Sequence, residues 1–266
     1  MPEASSKTDN VASVLKVFAV LETLAQEGEA SLAVIAQRAL TSKSTTHRVL
    51  QTMVDLGYVR QNRDTEHYAL STKLLGVAVK ALNDDGSLMH AADRAMATLA
   101  RATGEAINLG VMDEHEQRVV YIHQHKSSFS LSLKCTLGMR NPLHCTALGK
   151  ALLAWRAPEE IAARMALMDF APHAAGTITD PRTFRAELDL ARARGYAEEI
   201  EENEAGVRCM AAPLFDHIGR PVAAVSMSFL MLRFDEARHG EYSALLREVT
   251  RAASADLGYA VRAPQA

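Results

Sequence analysis

Cysteine is scarce in this 266-residue chain: Cys135, Cys145 and Cys209 are an odd three with no C-x-x-C spacing. That usage fits reduced intracellular thiols and argues against a disulfide framework or a cysteine-built zinc site. Long apolar runs are missing too, none approaching the roughly 18 residues of a membrane span. The opening Met1-Pro2-Glu3-Ala4-Ser5-Ser6 has no basic segment followed by an apolar one. The expected compartment is therefore the cytoplasm, with no membrane partner. Fourteen Gly and eight Pro are too few for a fibrous or low-complexity chain, and 48% apolar with 23% charged residues is an ordinary globular composition. Enzyme signatures fail as well. Gly149-Lys150 is followed by Ala151 and has no glycine five residues before Gly149, so the phosphate-loop pattern is broken. G-x-S-x-G and H-E-x-x-H do not occur, and the neighbours His144 and Cys145 are a pair in sequence only. No catalytic residue, cofactor or metal is expected.

An excess of positive charge is also lacking: the net charge is −3. Spread evenly, it would count against a nucleic-acid partner, because phosphate binding needs a local surplus of Lys and Arg. The charge is uneven. Residues 38–80 hold seven Lys/Arg against three Asp/Glu, net +4, whereas residues 81–266 hold twenty against twenty-four, net −4.

The local patterns give two domains. After a polar first ten residues, Val14, Leu15, Val17, Phe18, Leu21 and Leu24 recur at helical spacing until Gly28. A short helix over Leu32 to Ala39 follows, then a Thr41-Ser42 turn and a third helix to about Leu56. Tyr58 to Gln61 and His67 to Leu70 read as a small hairpin across a polar turn. Three helices and a hairpin over residues 11–72 form the winged helix-turn-helix plan. Residues 73–86 read as a linker helix apolar almost all round, through Leu74, Leu75, Val77, Ala78, Val79, Ala81 and Leu82, broken at Asn83-Asp84-Asp85-Gly86. Such a helix suits contact with a second subunit. Residues 87–262 alternate helices with strands near Ala106–Met112, Arg118–His123, Leu131–Thr136, Val207–Phe215 and Val222–Phe229. The fold class is α+β: a sheet covered by helices, built as a sensor domain.

On the third helix, Val49, Leu50, Met53 and Val54 form the inner face, and Ser44, His47, Arg48, Gln51 and Asp55 the outer stripe. Ser42, Lys43, Ser44, Thr45, Thr46, His47 and Arg48 crowd short donors and cations onto a helix N-terminus. That end favours phosphate, and its first two turns reach base edges in the major groove. Together with Gln51, these residues are the candidate readers of double-stranded operator DNA, and Arg60, Arg63 and His67 on the hairpin the candidate flank contacts. The competing account is a solvated helix face with Ser and Thr as caps. The surrounding winged-helix plan and the local positive charge favour DNA.

Several segments resemble a known family. Ser13-Val14-Leu15-Lys16-Val17-Phe18, Leu56-Gly57-Tyr58-Val59, the Asn141 to Lys150 run and the Glu202 to Pro213 run are similar to the IclR family of bacterial transcription regulators. The resemblance spans about residues 11–260. Within the family, Gly138 to Leu143, Leu152 to Arg156 and Ser226-Met227-Ser228-Phe229 look most like regulators that sense 2-keto-3-deoxygluconate. The resemblance implies a winged-helix reader, a dimerising linker and a GAF-like effector-binding domain for a small organic acid. Dimers or tetramers are implied as well, with repression released by the effector. A different carboxylic acid, aromatic or short-chain, is the alternative effector, and sensing through a protein partner the alternative mechanism.

The implied effector residues rest on the same resemblance. The backbone N–H groups of Ala147 and Leu148 fall in the first turn of a helix, where a carboxylate is held by unsatisfied donors. Relatives often carry Gly-Ala there, so the larger pair narrows the pocket. Strand alternation puts Val222, Ala224, Ser226 and Ser228 on one face and Ala223, Val225, Met227 and Phe229 on the other. Ser226 and Ser228 match the family's serine pair, Cys209 its pocket cysteine, and Glu199 a position held by aspartate in a close relative. Arg140 and His144 are further candidates for an acid or its hydroxyls, and Met139, Leu143 and Phe229 for the apolar wall. Each has a plainer reading: serines that let a helix pack closely, a small core cysteine, structural Arg140 and His144, and a solvated acidic loop at Glu198 to Glu204.

Overall fold

A computed structural model describes residues 11–82, 86–133 and 135–260. It divides into two units, residues 1–84 and 85–266. The N-terminal unit runs α1 (Ala12–Glu27), β1 (Glu29–Ala30), α2 (Leu32–Arg38), α3 (Lys43–Asp55), β2 (Val59–Gln61), β3 (Tyr68–Leu70) and α4 (Lys73–Leu82). Val20, Leu24, Ile35, Leu50, Met53, Val59 and Tyr68 form its core. Val49 and Val54 are only half-buried on its rim. Gly28, at φ 75°, ends α1, since a positive φ suits a residue without Cβ. The Ser42 side chain caps α3 by accepting from Thr45 N at 3.2 Å. The hairpin is the wing, and the two-residue β1 pairs with β3 to make a three-stranded sheet of order β1-β3-β2. On α4, Leu75 and Val77 are 63% and 52% exposed. The side chains of Ala78, Val79, Ala81 and Leu82, the break at 83–85 and the first ten residues lie outside the described residues.

The C-terminal unit runs α5 (Gly86–Thr103), β4 (Ala106–Asp113), β5 (Arg118–His125), β6 (Arg140–Pro142), α6 (Ala147–Ala154), α7 (Pro158–Met165), α8 (Pro181–Arg194), β7 (Ala197–Ile200), β8 (Val207–Phe215), β9 (Pro221–Leu230) and α9 (His239–Asp256). Its six strands pair antiparallel in the order β6-β5-β4-β9-β8-β7. Alternation gives the sheet two faces. Ile107, Leu109, Met210, Val225, Met227 and Phe229 meet Met96 and Leu99 of α5 and Tyr242 and Leu246 of α9. Val119, Ala211 and Ala224 meet Leu148, Leu152, Phe184 and Leu188 of α6 and α8. Fully burying a side chain of the size of Leu152 or Phe184 contributes about 1.5–3 kcal/mol.

The expected strand at Leu131–Thr136 does not form: apart from residue 134, which lies outside the described residues, the segment is irregular. Leu133 and Cys135 point into a cavity instead. The outer edge of β5 is paired by Arg140–Pro142, a strand too short to show a period-2 pattern.

Candidate functional site

The first candidate surface is the start of α3. Lys43, Ser44, His47, Arg48 and Gln51 are exposed along one stripe, and Thr45 is half-buried. Ser42 is committed to the cap, its hydroxyl also donating to Thr45 Oγ1 at 2.9 Å, and Gln51 Nε2 donates to Asp55 Oδ1 at 3.2 Å. Thr46 departs from the expected set of readers. It is fully buried, its hydroxyl 2.6 Å from Thr41 Oγ1 and donating to Ser42 O at 3.0 Å, so it ties the turn to the helix and faces no groove. On the wing, Arg60 and Arg63 are exposed and His67 is half-buried. Among the described residues, Lys43, Arg48, Arg60 and Arg63 form no ion pair. Four uncompensated cations on one small domain make a surface suited to a polyanion.

The second candidate site lies under α6. Gly149 decides where that helix sits: a Cβ there would fall 2.3 Å from Leu143 O, so only glycine lets the helix press against this backbone. Thr146 caps the helix, its Oγ1 accepting from Gly149 N at 3.1 Å. Ala147 and Leu148 are then the first two helical residues, and their N–H groups have no acceptor within the helix. Both line a narrow cavity of about 60 Å³ together with Asn108, Tyr121, Met139, Asn141, Glu199, Asn203, Cys209, Ser226 and Ser228.

The strand registers bring these residues together. Glu199 pairs with Cys209, Cys209 with Ser228, and Ser226 with Asn108, so four neighbouring strands present one polar face. Asn108 Nδ2 donates to Ser228 Oγ at 3.2 Å, and Cys209 Sγ lies 3.4 Å from the same oxygen. Among the described residues, Asn108 Oδ1 is buried without a partner, an acceptor in want of a donor. Glu199 is 2% exposed. Burial holds its carboxyl above the usual range, against the backbone N–H groups of Glu202 (3.0 Å) and Asn203 (3.2 Å), which donate to Oε1. Burial likewise pushes the Cys209 thiol well up, so it stays protonated.

Of the expected effector residues, Ala147, Leu148, Glu199, Cys209, Ser226 and Ser228 meet at this cavity, with Met139 on its wall. Arg140 and His144 do not. Arg140, on the edge strand β6, donates to Asp113 Oδ2 at 2.6 Å and to Glu116, on the solvent side. His144 is buried with Nε2 3.1 Å from Ala171 O, beside the rings of Phe170 and His173. Leu143 is core beneath Gly149, and Phe229 faces α5 and α9 across the sheet. Asn108, Tyr121, Asn141 and Asn203 were missed from the sequence. Asn108 left one signal, a lone polar residue in the strand Ala106-Ile107-Asn108-Leu109.

Comparison with known proteins gives a consistent result. The IclR helix-turn-helix domain model matches residues 13–63, and the model of the bacterial transcriptional regulator IclR C-terminal part matches residues 80–255. The chain is 42% identical over 257 residues to the HTH-type transcriptional regulator KdgR of Escherichia coli (strain K12), covering 97% of each chain. It is similar to the Thermotoga maritima IclR crystal structure, with 31% identity, TM-score 0.79, and 94% and 100% of the two chains covered. A further match is an IclR homologue from Microbacterium hydrocarbonoxydans crystallised with 4-hydroxybenzoate, with 25% identity, TM-score 0.81 and coverage of 92% and 99%.

Proposed function

Because the chain belongs to the IclR family of bacterial transcriptional regulators, DNA-binding proteins and not enzymes, we propose that it is a repressor of sugar-acid catabolic genes released by 2-keto-3-deoxygluconate. In this reading, residues 11–72 grip the operator through Lys43, Ser44, His47, Arg48 and Gln51 of α3, with Arg60, Arg63 and His67 on the flanks. Residues 73–86 join two copies, and residues 87–262 bind the effector, all in the cytoplasm. The N–H groups of Ala147 and Leu148 hold the carboxylate, while Ser226, Ser228 and Asn108 take its hydroxyls. Effector and operator then oppose each other through a coupling free energy of about 1–3 kcal/mol.

The unpartnered Asn108 Oδ1 carries the choice of effector class. A buried acceptor beside two serines suits a polyhydroxylated acid, which supplies donors, better than an aromatic acid with one hydroxyl. Operator affinity measured with and without 2-keto-3-deoxygluconate tests the reading, and a drop of about 5- to 150-fold is expected. Unchanged affinity rejects this effector. Release by 4-hydroxybenzoate instead moves the effector to the aromatic class, and the lack of any specific operator rejects the regulator.

Glu199 adds a pH dependence. An ionised Glu199 repels an acid effector, while the protonated form is neutral and donates a hydrogen bond. Burial raises its pKa, so the neutral form gains population as pH falls from 7 toward the ordinary glutamate value of about 4.3. Effector affinity therefore rises across that window. Glu199→Gln, neutral at every pH, flattens the profile in a calorimetric titration, and a profile that stays steep shows that another group is responsible.

A further inference from the structure

His123 and His125 stand two apart on β5, beyond the stretch of that strand that β6 pairs. Simple alternation from Tyr121, which faces the effector cavity, would turn both histidines toward that cavity. The structure turns them the other way. The β4–β5 register shifts between Leu109 and Gly110: His123 pairs with Leu109 and Tyr121 with Gly110, leaving Ile122 as the extra residue. Such a bulge re-aims the side chains that follow it. Beyond it, His125 and His123 share the face of Ile107 and Leu109, the side covered by α5.

On α5 they meet Asp93. Its Oδ1 lies 2.8 Å from His123 Nε2 and 2.7 Å from His125 Nε2, and the ligand atoms of all three residues lie within 4.8 Å of one another. The neighbouring Arg94 is engaged by Asp256 and does not compete for Asp93. We propose that Asp93, His123 and His125 form a two-histidine, one-carboxylate site for a divalent transition-metal ion, with zinc the fitting ion.

Two imidazole nitrogens and one carboxylate oxygen are a donor set zinc accepts, with solvent in the remaining position. Donors at about 2.0–2.1 Å from a tetrahedral ion stand roughly 3.4 Å apart, so the contacts to Asp93 open by about 0.6 Å. The side chains are 30%, 29% and 53% exposed for His123, His125 and Asp93, which leaves room for that shift and an entry path from solvent. The ion ties α5, the first helix of the C-terminal unit, to the sheet, on the opposite face from the effector cavity. A second cluster, His144, Cys145 and His173, is poorer. There His144 Nε2 contacts a backbone carbonyl, and burial pushes the Cys145 thiol up to about 12, so it holds its proton.

Full-length untagged protein, stripped with a chelator, is titrated with Zn²⁺ by calorimetry and with Co²⁺ by absorption spectroscopy. One ion per chain is expected, with a cobalt spectrum free of thiolate charge transfer and a melting temperature that rises on zinc addition. Asp93→Asn, at an exposed helix position, weakens binding at least tenfold, and His123→Gln with His125→Gln abolishes it. If the double variant fails to fold, Asp93→Asn decides alone. Absence of saturable binding, undiminished binding by Asp93→Asn, or a thiolate charge-transfer band overturns the site.

Discussion

Replacing Arg48 with Ala lowers operator affinity by about tenfold to a hundredfold while effector binding stays unchanged. Arg48 sits in the second turn of α3, exposed and, among the described residues, free of any ion pair, so its guanidinium has no protein partner to give up on meeting DNA. A bidentate contact from such a side chain to a guanine edge is worth about 1–3 kcal/mol. The loss should be accompanied by relaxed preference at one or two base pairs. Lys43→Ala makes the informative contrast: a phosphate contact weakens all sequences alike and reduces the salt slope by about one. Binding titrations at several salt concentrations, on the operator and on point-altered operators, separate the two. A uniform loss for Arg48→Ala moves this residue from base reading to backbone contact, and simultaneous loss of effector binding marks a folding defect.

The contrast between Arg48 and Thr46 shows how far a sequence reaches. Helical period separates inner from outer positions on α3 because Leu50 and Met53 are unmistakably apolar. At the first turn the period goes silent, because the inner position is a threonine whose hydroxyl is used by the turn at Thr41 and Ser42. Composition alone cannot tell a hydroxyl offered to DNA from one spent on a cap.

The cavity under α6 has a similar limit. Alternation along β9 was enough to place Ser226 and Ser228 on the face opposite Met227 and Phe229. Asn108 required the β4–β9 pairing, a contact across about 120 residues that no local pattern reports. Arg140 reads from the sequence as available for an acid, but its strand is the sheet edge, with Asp113 and Glu116 beside it. The histidines of β5 would have been assigned to the wrong face, since a single extra residue inverts every side chain after it.

The largest expected effect on stability belongs to Lys150, which is 1% exposed on α6. Its Nζ donates to Glu198 O at 2.8 Å and to Glu202 Oε1 at 2.5 Å. Glu202 is itself buried, with Oε2 unpartnered among the described residues, and burial raises its pKa against the pull of Lys150. Lys150→Met therefore strands a carboxylate away from water and costs about 3–5 kcal/mol at neutral pH, measured by chemical denaturation of the C-terminal unit. The sign with pH follows from the raised value. The stranded group costs most when ionised, so the deficit grows as pH rises through its folded pKa and shrinks as pH falls and Glu202 protonates. A second change, Glu202→Leu, removes the stranded charge and recovers most of the loss. If the deficit is equal at acid and neutral pH, or the double variant is no better than the single, the hydrogen bond to Glu198 O dominates and the ion pair does not. The consequence reaches the effector. Lys150 and Glu199 anchor the turn after β7 from two sides, the first through Glu202 Oε1 and the second through the N–H groups of Glu202 and Asn203. Asn203 and Glu204 on that turn line the cavity, so the single variant, assayed where it remains folded, also binds effector more weakly because part of the wall must be ordered on binding.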